Sequence, residues 1–229
     1  MIKLFLFFLL PIIIGAVTSQ KRGKQSNKKL ILESTKLEEP ILKSLTHRIA
    51  KNLNLNDIPV RIHETKSFNG LATPDGQIFL TRGALDDFYK GIVTAEELST
   101  IIAHELGHVA LGHSRRRMID FSMQNALRIV LSMAISRIIP AIGSYVANFL
   151  TSLLAAKLSR NDEFEADAYA AALLVKSGIG TDPQISLLKK LDALGTANET
   201  IPQWLMSHPN TSERISSIEK LRKKWSAIT

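Results

Sequence analysis

Apolar residues recur at helical spacing over residues 38–54, where Ile41, Leu42, Leu45, Ile49 and Leu53 predict an amphipathic helix able to cover one side of a core. The period then changes to two: Val60, Ile62 and Glu64 alternate with Arg61 and His63, which reads as a short strand. Residues 67–72 and 77–81 flank the turn cluster Thr73, Pro74, Asp75 and Gly76, so this pair reads as a hairpin in a small antiparallel sheet. From Thr94 the helical period returns. Thr94 and Glu97 have the spacing of a capping box, and Leu98, Ile101, Ile102, Leu106 and Val109 follow as a buried stripe. Asn161 or Asp162 is the expected cap of a later helix through Ala166, Ala170 and Leu174, stopping at Gly178. Asp182 and Pro183 open another that ends near Gly195, and a last helix is expected over 211–225. The fold class is therefore α+β and mostly helical, with no internal repeat.

Composition narrows the chemistry. A chain of 229 residues with 45% apolar and 22% charged side chains is of a size for one compact domain, or for a domain plus appendages. It contains no cysteine, which excludes a disulfide scaffold, a cysteine nucleophile and a thiolate metal site, so any metal must take nitrogen or oxygen donors. The net charge of +8 is local: Lys3 and five basic residues between Lys21 and Lys29 leave 23 basic against 21 acidic groups elsewhere. A near-neutral body with a short basic tail argues against nucleic acid as a partner.

The N-terminus has the layout of an export signal. Lys3 precedes an uncharged run from Leu4 to Val17, followed by Thr18, Ser19 and Gln20. We read residues 1–19 as a signal peptide, with an uncleaved anchor as the alternative, 20–29 as a basic linker and 30–229 as the working domain. Either reading of the N-terminus exports the body to the periplasm or envelope.

The chemistry sits in the capped helix. His104, Glu105, Leu106, Gly107 and His108 form an HExxH pattern, in which two histidines four residues apart return to one helical face and can share one Zn²⁺. Glu105, offset by one residue, can meet the open side of the metal as general base. A catalytic zinc needs a third protein ligand, and Glu163 and Glu165 are both candidates; two residues apart on a helix, they cannot face the metal together. Glu163 has Asp167 on its own face, so one carboxylate could bind zinc while the other accepts the second-nitrogen proton of a ligand histidine. On that pairing we take Glu163 as ligand, Asp167 as the acceptor behind a ligand histidine and Glu165 as a surface carboxylate.

With these residues in place, the chain resembles the forty-eighth family of metallopeptidases, the HtpX-like heat-shock proteases and CAAX prenyl endopeptidases. The resemblance rests on the HELGH run at His104 to His108, on Ser159, Arg160, Glu163, Ala166 and Asp167, on Asn69 to Ala72 with the hairpin, and on Ser207, His208, Pro209 and Arg214. It covers roughly residues 62–221 and implies a zincin-like, gluzincin-type fold with one zinc ion per chain and Glu163 as third ligand. It also implies that His208 and Arg214 stand beside the metal, steadying an oxyanion or orienting the ligand glutamate. Asn69, Gly70, Leu71 and Ala72 look like the edge strand that pairs with an extended polypeptide substrate, which agrees with the way peptides add to sheet edges.

Between the two zinc helices lies an apolar insertion, residues 115–158, in which residues 138–156 carry no charge. Because His108 and Glu163 must share one ion, this segment crosses a membrane twice or not at all. Its first half contains Asp120, Arg128 and Arg137, each costly in hydrocarbon, so the expectation is helices packed over the site or lying at a membrane surface. The reading that results is an exported zinc metalloendopeptidase of envelope protein quality control. The alternative is a conditionally active or non-hydrolytic, chaperone-like protein using the same groove.

Overall fold

The computed structural model describes residues 25, 27–73, 75–139, 142–197, 202–209 and 211–227; the expected signal or anchor at 1–19 and most of the basic linker lie outside these. The chain divides into two units, one formed by Leu30–Gly112 with Asp162–Thr229, the other by Met1–Lys29 with His113–Asn161.

The first unit begins with β1 (Ser34–Lys36) and α1 (Pro40–Asn52), followed by β2 (Val60–His63), β3 (Gly70–Ala72) and β4 (Ile78–Thr81). The helices α2 (Arg82–Tyr89) and α3 (Ala95–Ala110) come next. After the second unit, the chain returns through the end of α5 (Gly143–Lys176), then α6 (Asp182–Ala197), α7 (Gln203–Ser207) and α8 (Thr211–Ser226). The fold is mostly helical with one small sheet, as its sequence leads one to expect. The sheet is not antiparallel throughout, however. Its strand order is β1-β2-β4-β3, and β2 runs parallel to β4 with Val60 opposite Ile78. The connection after β2 carries the chain past the position of β4, so the returning hairpin inserts β4 between its neighbours and leaves β3 on the edge. Among the described elements, three escape the hydrophobic pattern: β1, whose Ser-Thr-Lys sequence carries no apolar residue, α2, capped by the Thr81 side chain accepting from the Ala84 amide, and the five-residue α7.

α3 is the central helix, packed against α1, α6 and β3. Its N-terminus has the full capping box: the Glu97 amide donates to Thr94 Oγ1 at 3.1 Å and the Thr94 amide to Glu97 Oε2 at 2.8 Å. Leu98, Ile101 and Ile102 are fully buried, each stabilising the helix in place by about 1.5–3 kcal/mol. Gly70 lies where β3 crosses this helix, and a β-carbon there would collide with the Ile101 side chain. Glu97 also accepts from Ser186 Oγ at 2.6 Å and pairs with Lys190 at 2.9 Å, which ties the start of α3 to α6.

The second unit includes, among the described residues, α4 (His113–Ile138), the first half of α5 and helical residues at 25 and 27–29. Asn161 and Asp162 do not cap a helix. With neither glycine nor proline between residues 144 and 176, α5 runs unbroken through them. It stops at Gly178, whose φ of +68° is the left-handed conformation expected there. Among the described residues, no helix is long and apolar enough to cross a membrane.

Candidate metal centre

α3 delivers His104, Glu105 and His108 to one place, each less than a tenth exposed. α5 delivers Glu163 and Asp167 opposite them, also buried. The two helices approach at Gly107, where an added β-carbon would stand 3.0 Å from the Ala166 carbonyl oxygen and 3.1 Å from its Cα. A side chain at this position would push Glu163 away from the histidines, so the glycine inside the motif has a steric reason.

The donor atoms converge. His104 Nε2 lies 3.1 Å from His108 Nε2 and 3.3 Å from Glu163 Oε2, and His108 Nε2 lies 3.6 Å from Glu163 Oε1. Tetrahedral zinc with bonds of about 2.0–2.1 Å separates its ligands by about 3.3–3.4 Å, so this trio fits the ion. The orientation of the rings fits as well. His104 Nδ1 is 2.9 Å from Asp167 Oδ1, where its N–H donates to the carboxylate and leaves a lone pair on Nε2. Glu165 is exposed.

The α7–α8 segment closes the other side. His208, buried at 7% exposure, has Nδ1 at 2.7 Å from Glu163 Oε2 and Nε2 at 3.3 Å from Glu105 Oε1. One donor atom each from His104, His108, Glu163 and His208 lies within 4.8 Å of the others. Arg214 is 1% exposed, unlike the solvated arginine usual on a terminal helix. Its guanidinium faces Asp167 rather than Glu163: Nε reaches Oδ2 at 2.6 Å and Nη2 reaches Oδ1 at 2.8 Å, whereas Nη1 is 4.0 Å from Glu163. Nη1 also donates to the His208 carbonyl at 2.9 Å. A single buried arginine therefore fixes both the acid behind His104 and the loop carrying His208.

The charges suit a divalent cation. Burial pushes the Glu163 carboxyl up, but the hydrogen bonds from His104, His108 and His208 outweigh it and hold it far below the usual carboxylate range. Asp167 is likewise held down against burial by Arg214 and His104, and Glu105 by His208. Burial lowers His108, against the pull of Glu163, and so favours the neutral ring that a metal requires. His208 is raised to about 9, because Glu105 and Glu163 outweigh its desolvation.

Gly70, Leu71 and Ala72 form β3 at the edge of the sheet, with Asn69 just before it; Asn69 and Gly70 are buried, Leu71 and Ala72 half-buried. Asn69 O accepts from the Thr81 amide at 3.1 Å and the Thr73 amide donates to Gln77 O at 2.9 Å, so by alternation the backbone groups of Gly70 and Ala72 face away from β4. The Gly70 amide is taken by Asn69 Oδ1 at 2.9 Å.

Two site residues carry no signal in the sequence. Gln184 Nε2 donates to Asp167 O at 3.3 Å and to Oδ1 at 3.4 Å, and Trp204 Nε1 donates to Glu105 Oε1 at 3.4 Å. A glutamine in a first helical turn and a tryptophan four residues before a His-Pro pair have no distinctive spacing, and only the packing of α6 and α7 reveals them.

The family model described as Peptidase family M48 matches residues 36–222. The chain is 27% identical over 177 residues to metalloprotease LoiP of Escherichia coli, covering 77% of this chain and 68% of that protein. It is 30% identical over 175 residues to metalloprotease YcaL of the same organism, covering 75% and 66%. A protease HtpX homolog of Neisseria meningitidis is 27% identical over 241 residues, covering 91% and 83%. The chain belongs to peptidase family M48, the zinc metallopeptidases that its histidine and glutamate spacing resembles, and is a metalloendopeptidase.

Proposed function

We propose that one zinc ion is held by His104, His108 and Glu163, and that the enzyme hydrolyses polypeptides of the cell envelope as part of protein quality control. The observation that carries the reading is the trio of donor atoms 3.1–3.6 Å apart, with a buried carboxylate on the residue next to the first histidine. Zinc in such a site supplies Lewis-acid polarisation of the scissile carbonyl and lowers the pKa of water. Glu105 takes the proton of the attacking water as its oxygen bonds to the carbonyl carbon. It then passes that proton to the amide nitrogen as the C–N bond breaks, leaving a carboxylate and an amine. His208 stands beside Glu105 and Glu163, with Nε2 3.3 Å from the one and Nδ1 2.7 Å from the other, and in that place it orients the two carboxylates around the metal. An extended substrate adds to the β3 edge through the outward amide and carbonyl of Ala72 and the outward carbonyl of Gly70.

The test is Glu105→Gln. Metal content should stay at one ion per chain while cleavage of blocked internal peptides is lost; turnover at the parental rate would remove Glu105 from the chemistry. The same variant, expressed in cells, should retain envelope polypeptides bound to it, and recovery of cytoplasmic proteins alone would overturn the assigned compartment.

Export is supported by the uncharged run from Leu4 to Val17, and the likeness to a protease HtpX homolog supports polypeptides as substrates. Contact with a membrane surface is supported by the apolar side chains that the second unit exposes, among them Met123, Val130, Met133, Ile138, Tyr145 and Phe149. Carbonate extraction of the signal-cleaved protein should release it from membranes, and retention in the pellet would show a spanning segment instead.

A further inference from the structure

Trp204 stands on the five-residue helix α7 and is 2% exposed. Its indole N–H donates to Glu105 Oε1 at 3.4 Å, and His208 Nε2 reaches the same oxygen at 3.3 Å. Oε2 carries neither contact. The final torsion of a glutamate is broad, so its carboxylate turns freely unless its oxygens are held. Two donors on one oxygen set the plane of the group and leave the other oxygen to take a proton.

The indole is itself fixed. The Arg214 guanidinium carbon lies 4.9 Å from the ring centroid, and the His208 ring is 5.0 Å away. The His104 ring meets it edge-on at 5.4 Å. The Trp204 amide donates to Phe68 O at 3.3 Å and Ser67 Oγ donates to Gln203 Oε1 at 2.6 Å, so α7 is tied to the residues that lead into β3. Packing alone does not call for tryptophan here. A purely apolar ring would fill space without a buried N–H that must find an acceptor.

We propose that Trp204 is a positioning residue of peptide hydrolysis: its indole N–H fixes the carboxylate of Glu105 so that Oε2 meets the attacking water. This rests on Glu105 being the general base.

The test replaces Trp204 by phenylalanine and, separately, by benzothienylalanine, which keeps the bicyclic shape and lacks the N–H. A long hydrogen bond to a charged acceptor sets the expected effect at about a tenfold loss of kcat, with KM within about twofold of the parent. Zinc content should be unchanged in both, and the isostere should melt at the parental temperature. A readout independent of turnover comes from the zinc-loaded Trp225→Phe protein, in which Trp204 is the remaining tryptophan of two. Adding Glu105→Gln should shift its emission, whereas adding Glu165→Ala should not. Parental kcat in the isostere, a raised KM with kcat unchanged, or emission indifferent to Glu105→Gln would each overturn the role of Trp204. Full turnover by Glu105→Gln alone is a distinct result that overturns the base assignment instead.

Discussion

Replacing Arg214 by methionine tests how the centre is braced. The substitution keeps most of the side-chain length and removes the two bonds to Asp167 at 2.6 and 2.8 Å and the bond to the His208 carbonyl at 2.9 Å. Asp167 is 1% exposed, so its carboxylate would be left in the interior with its cation gone. Breaking a buried pair in this way costs about 3–5 kcal/mol, mostly as the penalty of the stranded charge. For a chain of this size each kcal/mol lowers Tm by about 2–4 °C, giving an expected drop of about 6–20 °C in chelator-treated protein. The stranded group can relieve itself by taking a proton, and it is then a poorer acceptor for His104 Nδ1. Zinc affinity should fall by about 10–100-fold, as for other outer supports of ligand histidines, measured by competition with a chromophoric chelator. Adding Asp167→Leu should recover much of the stability, because an apolar pair leaves no charge stranded, but none of the affinity. A Tm drop under about 3 °C for Arg214→Met, or an equal drop whether or not Asp167→Leu is present, would refute this account.

Glu163→Gln should empty the metal site while Glu165→Ala leaves it filled, by elemental analysis of the purified proteins; the reverse result would transfer the ligand role to Glu165. Gly107→Ala separates two physical effects of opposite sign. Helix propensity favours alanine by about 1 kcal/mol, but overpacking against the Ala166 backbone at 3.0 Å costs about 1–3 kcal/mol and parts α3 from α5, so zinc affinity should fall; a more stable protein with parental affinity would show that the contact does not matter. The exposed Glu64–Arg82 pair, at 2.7 Å, depresses the Glu64 carboxyl chiefly through their hydrogen bond. Its contribution, about 0.5 kcal/mol after solvent screening, is present above the unfolded value near pH 4.3 and lost as pH falls through the lower folded value. Glu64→Gln should therefore lower the urea midpoint slightly at pH 7 and leave it unchanged well below that folded value, and an equal shift at both would exclude the ion pair as the cause.

What could be read from the sequence was local. The capping box of Thr94 and Glu97, the shared face of His104 and His108, and that of Glu163 and Asp167 all follow from the pitch of a helix, which relates residues three and four apart whatever the rest of the chain does. Gly178 ended its helix for an equally local reason. The cap expected at Asn161 or Asp162 failed because a residue that is able to cap does so only where something breaks the helix, and nothing between residues 144 and 176 does. The tertiary structure decided everything that required distant segments to meet. β4 entered between β2 and β3, the Arg214 side chain turned to Asp167, and Trp204 and Gln184 came to rest on the carboxylates of the centre. Those partners lie 17 to 99 residues apart in the chain, and no period in the sequence marks them. Their meeting is fixed by how α3, α5, α6 and α8 bury their apolar faces together, a property of the whole core rather than of any segment.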